Sequence, residues 1–450
     1  MIGIGGIGLS AIARVLAERG VLVSGCDQGA SELTGSLAAA GIPVALGHSA
    51  DHLQDVELVV VSSAIPESNP EVMAARRLGI PVVHRRELLA LMMRKVDGIA
   101  VAGTAGKTTT SAMVAHILVE LGHEPTYVVG GLAPDLHGNA ASGRGRWFVL
   151  EADEYDHAFE DLCPLVGVVT NVEMDHPDCF ADIEAVRQAF GAFMAHVRPE
   201  GWLVVGADSP DARVTVEQAA PKAQVVWFGQ GEDAACRMTN VQARPHGGVS
   251  FDWAHAEHDA VRVTLQVPGV HNALNATAAM AAVTCCGVDP AAAADALGRF
   301  QGVARRFEVK GERDGVLVVD DYAHHPTKIR ATLEAARVRY PERRIIALFQ
   351  PHTYSRTEAL LDEFAVCFAD ADLVRLVDVF PARPSERATI TAANLAAATR
   401  HRDVAYVGDL QQAVEYLRQE LRSGDLLITL GAGNGYLVGE AILAGREVTS

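Results

Sequence analysis

Positive charge is scarce in this chain: 38 Lys and Arg stand against 56 Asp and Glu, a net charge of -18. No basic cluster stands out, and phosphate backbones are gripped by such clusters, so no nucleic-acid partner is expected. Any anionic substrate must then be met by local basic groups. Paired cysteines are also missing. The seven (Cys26, Cys163, Cys179, Cys236, Cys285, Cys286 and Cys367) show neither paired zinc-ligand spacing nor Cys-x-x-Cys, and their number is odd. They read as buried thiols of a reducing compartment. Every apolar run falls well short of the roughly 20 residues that span a bilayer, and no basic stretch leads into a long apolar segment at the N-terminus. The expectation is a cytoplasmic protein without membrane insertion.

What is present suits a globular enzyme, with 49% hydrophobic and 21% charged residues over 450 positions. At roughly 100 to 200 residues per domain, two to four domains are expected, and three is the reading taken. Short runs of Val, Ile and Leu recur, each followed by a Gly-containing turn and a stretch with helical spacing, the rhythm of βαβ units. The fold class is α/β. A Rossmann-like N-terminal domain has strands at Ile2–Ile4, Leu58–Ser62 and Pro81–Val83 and a helix at Leu9–Glu18. A central domain of P-loop ATPase type, with a mostly parallel sheet, has strands at Gly98–Ala102, Trp147–Leu150 and Val166–Thr170 and an apolar helical stretch at Ala112–Leu121. A Rossmann-like C-terminal domain has strands at Val316–Val319, Arg344–Phe349, Leu373–Val377 and Leu426–Leu430. The series restart near residues 97 and 304, which divides the chain into 1–97, 98–304 and 305–450. The first strand has almost no residues ahead of its glycines, so a late start or a missing natural N-terminus is expected.

Gly103, Thr104, Ala105, Gly106, Lys107, Thr108 and Thr109 lie between a strand and a helical stretch. That is the setting of a phosphate loop: bare N–H groups at a helix N-terminus face the anion, Lys adds charge and Thr ligates Mg²⁺. Only two residues separate the glycines, where the usual pattern has four. Gly3, Gly5 and Gly8 form G-x-G-x-x-G, with Asp27 about twenty residues on, which matches the dinucleotide fingerprint. A nicotinamide site, a loop holding another diphosphate and a packing turn are all open; the separate ATP loop favours the second. Glu151, Asp153 and Glu154 follow one central strand, and Asn171, Glu173, Asp175 and His176 follow the next. Ligands bind beyond the carboxyl ends of parallel strands, so both clusters fall at the ATP loop, where they suit Mg²⁺. His271, Asn272 and Asn275 fit either an adenine edge or a cap and turn. Arg305 and Arg306 fit a phosphate or a solvated face. Asp320, Asp321, Tyr322, His324 and His325, then His352, Tyr354 and Arg356, follow two C-terminal strands; no Cys joins these histidines, and the Arg favours carboxylate recognition.

In this order the residues resemble the Mur ligases, through GIGGIGLSAIA, SSAI, AGTAGKTTT, EADEYD, TNVEMDHPD, GVHNALNA, GVARRFE, DDYAHHPT, FQPHTYSRT and GAGNGY, spread from residue 3 to 436. The nearest likeness is to the branch that adds L-alanine to UDP-N-acetylmuramate with ATP, in peptidoglycan precursor synthesis. The resemblance implies that Gly5, Gly6, Gly8, Ser10 and Asp27 hold the UDP part, with Ser62, Ser63 and Ala64 helping. It implies Lys107 and Thr108 on ATP phosphates and Mg²⁺ (Mn²⁺ as a substitute), Glu151 on a first metal and His176 on a second. His271, Asn272 and Asn275 would meet adenine, Arg305 the phosphates, and Asp320 or Asp321 the nucleotide sugar. Tyr322, His324, His352 and Arg356 would surround the amino acid. Two features depart from the pattern. Ala105 stands where the alanine-adding enzymes usually have His, and no Lys lies between Lys107 and Lys222, which argues against a carbamylated Lys near the second metal.

The implied chemistry is amide formation through an acyl phosphate, with Lys107, Arg305 and two Mg²⁺ neutralising charge and His324 as either proton acceptor or orienting group. Three alternatives remain: a recycling ligase that adds a whole tripeptide to the same sugar nucleotide, a nicotinamide oxidoreductase suggested by the first Gly loop alone, and a nucleotide-sensing module. The oligomeric state is not legible.

Overall fold

The computed structural model describes the chain except for residues 63, 95, 137, 245–246, 383–386 and 449–450 and the side chain of Asp156. Its N-terminal part is built on two short parallel pairs, Gly25–Asp27 with Val44–Leu46 and Val59–Val61 with Val82–His84. The expected strand Ile2–Ile4 is instead a single point of pairing, Ile2, which bridges Cys26 on one side and Val61 on the other. Gly3 explains the difference. Its φ of +78° turns the chain at once, and the N–H groups of Gly3 and Ile4 both donate to the Cys26 carbonyl, at 2.9 and 3.1 Å. The helix Ile7–Glu18 follows and buries Leu9, Ile12 and Val15.

The central sheet has ten strands, in the order His258–Leu265, Val249–His255, Cys236–Ala243, Gln224–Gly229, Trp202–Gly206, Val166–Val169, Asp97–Ala102, Trp147–Glu151, Thr126–Ala133 and Gly138–Ala141. Its middle is parallel and both ends turn antiparallel. Ile99 to Ala102 are wholly buried, as expected of a strand covered on both faces. The helix Lys107–Glu120 starts directly at the Gly loop, five residues before the stretch with apolar spacing. Its first turn is Thr-rich, and those threonines are buried rather than solvated. It shares a core with the Ala-rich helix Val270–Cys285, whose Ala273, Ala276 and Ala279 are fully buried.

The third sheet has six strands: Glu308–Arg313, Val316–Asp321, Asp425–Leu430, Arg344–Phe349, Leu373–Leu376 and Val404–Tyr406. Only the first pair is antiparallel. Phe349, Phe364 and Phe368 pack on one face and Val318, Leu348 and Leu427 on the other. Among the described residues no helix is long and apolar enough to cross a membrane.

Candidate active site

The strand ends of the central and C-terminal sheets meet across a cavity of about 1100 Å³, which the N-terminal part reaches with Ile7, Gly8, Arg85 and Leu89. At its floor lies the loop after Asp97–Ala102. Gly103 (φ +138°) and Gly106 (φ +87°) both adopt backbone angles that side chains rarely take. Space forbids them too: a Cβ on Gly103 would sit 1.9 Å from Thr170 Oγ1, and one on Gly106 2.4 Å from Asn275 Oδ1. The loop is pinned from the neighbouring strand end. Thr170 Oγ1 donates to the Ala105 carbonyl at 2.5 Å, and the Asn171 amide both accepts from Ala105 N–H (2.9 Å) and donates to its carbonyl (3.1 Å). Thr104 and Glu173 exchange further bonds. With only two residues between its glycines, the loop keeps its shape through these side chains.

Lys107 donates to the Gly103 carbonyl (2.6 Å) and pairs with buried Glu154 at 2.6 Å. Burial opposes its charge, but Glu154 and Asp153 outweigh that and hold its pKa above the ordinary value. Thr108 donates to Glu151 Oε1 at 3.0 Å, while Glu151 Oε2 accepts from Gly130 N–H at 2.6 Å. Burial pushes Glu151 up, against the pull of Lys107 and Arg306. Hydroxyl and carboxylate oxygens side by side at a helix N-terminus are the donor set that Mg²⁺ takes. His176, with φ +55°, lies apart from that pair, with Nε2 3.8 Å from Glu154 and its ring against Tyr155. Burial pushes it down to about 3, so its imidazole is neutral.

His271, Asn272 and Asn275 come over the same loop from the helix Val270–Cys285. Asn272 donates to the Pro268 carbonyl (2.7 Å) and accepts from Asn275 (3.3 Å). Burial pushes His271 down to about 4. Arg305, another positive-φ residue, donates to Asp320 (3.0 Å) and to the Gly431 carbonyl (2.9 Å), and its guanidinium lies over the rings of Tyr322 and Tyr436. Arg306 reaches Thr108 Oγ1 at 3.3 Å. Asp320 is fully engaged by Arg305 and Thr429, and the Asp321 oxygens accept from the N–H groups of Phe307 and Ala323.

The C-terminal wall holds Tyr322, His324, His352 and Arg356 together. His324 Nδ1 is 2.8 Å from the Tyr322 carbonyl, and its ring is 5.8 Å from that of His352. Burial first, then Lys328 and Arg356, hold its pKa well below the ordinary value. Arg356 is only 3% exposed; its Nε donates to Asp175 at 2.7 Å, and its Nη1 and Nη2 face His352 and His176. Asp175 lies in the loop after the central strand Val166–Val169 and Arg356 in the C-terminal helix Tyr354–Ala359, so this pair ties the two walls.

The cavity therefore collects Thr104 to Thr109, Glu151, His176, His271, Asn272, Asn275, Arg305, Asp321, Tyr322, His324, His352 and Arg356. It does not collect Gly5, Gly6, Ser10, Asp27, Ser62, Ala64, Gly103 or Asp320. Ser10 is buried and donates to the Ile7 carbonyl, and Asp27 accepts from Gly5 N–H at 2.8 Å, shaping the first Gly loop. Ser63 lies outside the described residues. Two cations were missed: Arg85, whose guanidinium fills the space beside Gly8, and Lys328, 3.7 Å from Asp175 and pushed down to about 8 by burial. Arg85 opens a helix as one of an adjacent Arg pair and Lys328 lies within another helix, and neither belongs to a phosphate or carboxylate motif that would mark it.

Three family models match in sequence order: the Mur ligase family catalytic domain at residues 1–96, the Mur ligase middle domain at 101–283 and the Mur ligase glutamate ligase domain at 305–433. The UDP-N-acetylmuramate--L-alanine ligase of Pelobacter propionicus is 42% identical, with 100% of this chain and 98% of that protein covered. The enzyme of the same name from Rubrobacter xylanophilus is 45% identical, with 99% of each covered. Among solved structures, UDP-N-acetylmuramate-alanine ligase from Thermotoga maritima superposes with a TM-score of 0.81 at 28% identity, covering 99% of this chain and 97% of that one. A murein peptide ligase from Psychrobacter arcticus shares the fold, with a TM-score of 0.75 at 23% identity over 98% and 97%. From residue 1 to residue 433 the matches run in one order over one three-part fold, and the chain belongs to the Mur ligase family.

Proposed function

We propose that this chain is a cytoplasmic ligase that joins L-alanine to the lactyl carboxyl of UDP-N-acetylmuramate at the expense of ATP, through an acyl phosphate, in peptidoglycan precursor synthesis. The observation that carries the reading is the facing of the Gly103–Thr109 loop by the wall of Tyr322, His324, His352 and Arg356 across one cavity. A carboxylate between them meets a phosphate donor on one side and an amine on the other. The division of labour is 1–97 for the UDP sugar, 98–304 for ATP and 305–450 for the amino acid.

Loop N–H groups and Lys107 hold the triphosphate, and Arg305 and Arg306 reach it from the C-terminal side. Thr108 and Glu151 suit one Mg²⁺ and His176, already neutral, a second. Bound Mg²⁺ supplies charge neutralisation on the phosphates. The carboxylate oxygen attacks the γ-phosphorus and ADP leaves; the neutral alanine amine then attacks the acyl carbon, phosphate leaves, and the nitrogen gives up its proton to water. The first step brings a carboxylate onto the triphosphate, two like charges, so positioned cations supply most of its gain. Lowered basicity makes His324 a poor proton acceptor near neutral pH, which favours its orienting role. Ala105 leaves the backbone cradle intact, because Thr170 and Asn171 hold the loop. Phosphate release should require ATP, UDP-N-acetylmuramate and L-alanine together. Release with ATP and the sugar nucleotide alone, at an unchanged rate, would refute the reading.

A further inference from the structure

Away from the cavity, in the small N-terminal part, three chemically different donors converge: Cys26 from the strand Gly25–Asp27, His48 just past the strand Val44–Leu46, and Glu71 from the first turn of the helix Pro70–Leu78. Cys26 Sγ is 3.2 Å from Glu71 Oε2 and 3.3 Å from His48 Nδ1, and His48 Nδ1 is 3.6 Å from Glu71 Oε1. His52 Nδ1 stands 2.9 Å from the same Glu71 oxygen. Cys26 and Glu71 are almost wholly buried, and His48 Nε2 is buried with no hydrogen-bond partner among the described residues.

We propose that Cys26, His48 and Glu71 form a zinc-type site with three protein ligands, the fourth position being taken by water. Zinc bonds of about 2.0–2.3 Å to sulfur, nitrogen and oxygen put tetrahedral ligands about 3.3–3.8 Å apart; Cys26 Sγ and His48 Nδ1 stand at that edge length, and Glu71, which meets Cys26 with Oε2 and His48 with Oε1, brings one oxygen within 4.8 Å of both. The set excludes Mg²⁺, which takes oxygen, so this centre is distinct in kind from the one at Thr108 and Glu151. Coordination takes the thiolate, so Cys26 releases its proton to solvent as the ion binds, and the Sγ to Glu71 hydrogen bond gives way to two metal bonds. The spacing of the three residues follows no zinc-ligand pattern; separate elements bring them together. The site's use is local. The Cys26 carbonyl holds the N–H groups of Gly3 and Ile4, and the next residue, Asp27, holds Gly5, so an ion on Cys26 fixes the first Gly loop. The N-terminal part has small cores and two short strand pairs, the situation in which a metal staple contributes most.

The full chain, stripped with chelator and titrated with Co²⁺, should bind one equivalent that gives a near-ultraviolet thiolate-to-cobalt band and tetrahedral visible bands. Cys26→Ser should abolish the thiolate band, and Zn²⁺ should displace the cobalt. Cobalt at the ATP site has no thiol within its ligand set and gives no such band. No thiolate band in the unaltered chain, or a band that survives Cys26→Ser, would overturn the proposal. Should that variant fail to fold, X-ray absorption on the unaltered chain loaded with one zinc decides: one sulfur at about 2.3 Å supports the site, and nitrogen and oxygen neighbours alone refute it.

Discussion

His271 sits on the helix that covers the ATP loop, and burial lowers its pKa from 6.5 to about 4. The unfolded chain takes up this proton below about 6.5 and the folded chain does not until about 4. This residue's contribution to stability is therefore complete above about 6.5 and lost as pH falls toward 4. Its imidazole resonances should show no titration between pH 5 and 8; a midpoint near 6.5 would place the ring in water. On the proposed function, Arg356 is the residue expected to carry the choice of amino acid. A free amino acid presents a carboxylate beside its amine, and a guanidinium can grip it with two parallel bonds; a tripeptide has an amide at that place. Arg356 Nε is committed to Asp175, and a substrate carboxylate would take the two Nη groups from their longer contacts with His352 and His176. Arg356→Lys keeps the charge without the fork, and should raise KM for L-alanine at least roughly tenfold while KM for ATP and the sugar nucleotide barely moves. An unchanged alanine KM in steady-state kinetics would remove Arg356 from that role.

At the scale of elements, Asp97–Ala102 was legible because an unbroken apolar run ends in Gly-x-x-Gly-Lys, which few other structures use. The start of the next helix was not, because Thr108 to Thr110 read as polar while tertiary packing buries them. The antiparallel strands between Cys236 and Leu265 went unplaced. Cys236 to Thr239 alternate, but Asn240 falls where the next apolar residue would stand and moves the phase to Val241 and Ala243, where the pairing also shifts register between Thr239 and Gln242. The strand expected at Ile2–Ile4 was lost to the turn at Gly3. Gly106 gives the sharpest test at this scale, since its φ and its closeness to Asn275 act separately. Gly106→Ala should weaken ATP binding, because a methyl group meets Asn275 Oδ1 and the backbone angle is strained, a cost of roughly 1–3 kcal/mol. Because Asn275 itself is expected at adenine, the double variant with Asn275→Ala is compared with Asn275→Ala alone, and Gly106→Ala should then cost only the backbone share in an ATP titration. Full recovery, or no loss in the single variant, would contradict the geometry.

Across the whole molecule, the acidic and histidine clusters after successive strands were readable because parallel sheets gather their ligands at one edge. That Asp175 and Arg356 meet was not readable, since only the packing of two sheets brings them together. With Thr327 donating to Glu173 at 2.6 Å and His325 facing the Met174 carbonyl at 3.0 Å, they form the seam between central and C-terminal parts. Breaking it with Asp175→Asn, which keeps the shape but drops the charge, should enlarge the radius of gyration in solution scattering. UDP-N-acetylmuramate with a nonhydrolysable ATP analogue should shrink it again; identical curves in all states would speak against a closing seam. The identity of the added group is tested by a direct competition. The enzyme would be given ATP, UDP-N-acetylmuramate and equal concentrations of L-alanine and L-Ala-D-Glu-meso-diaminopimelate, with products weighed by mass spectrometry at early times. The account predicts the alanyl product in large excess, and a predominant tripeptide product would contradict it.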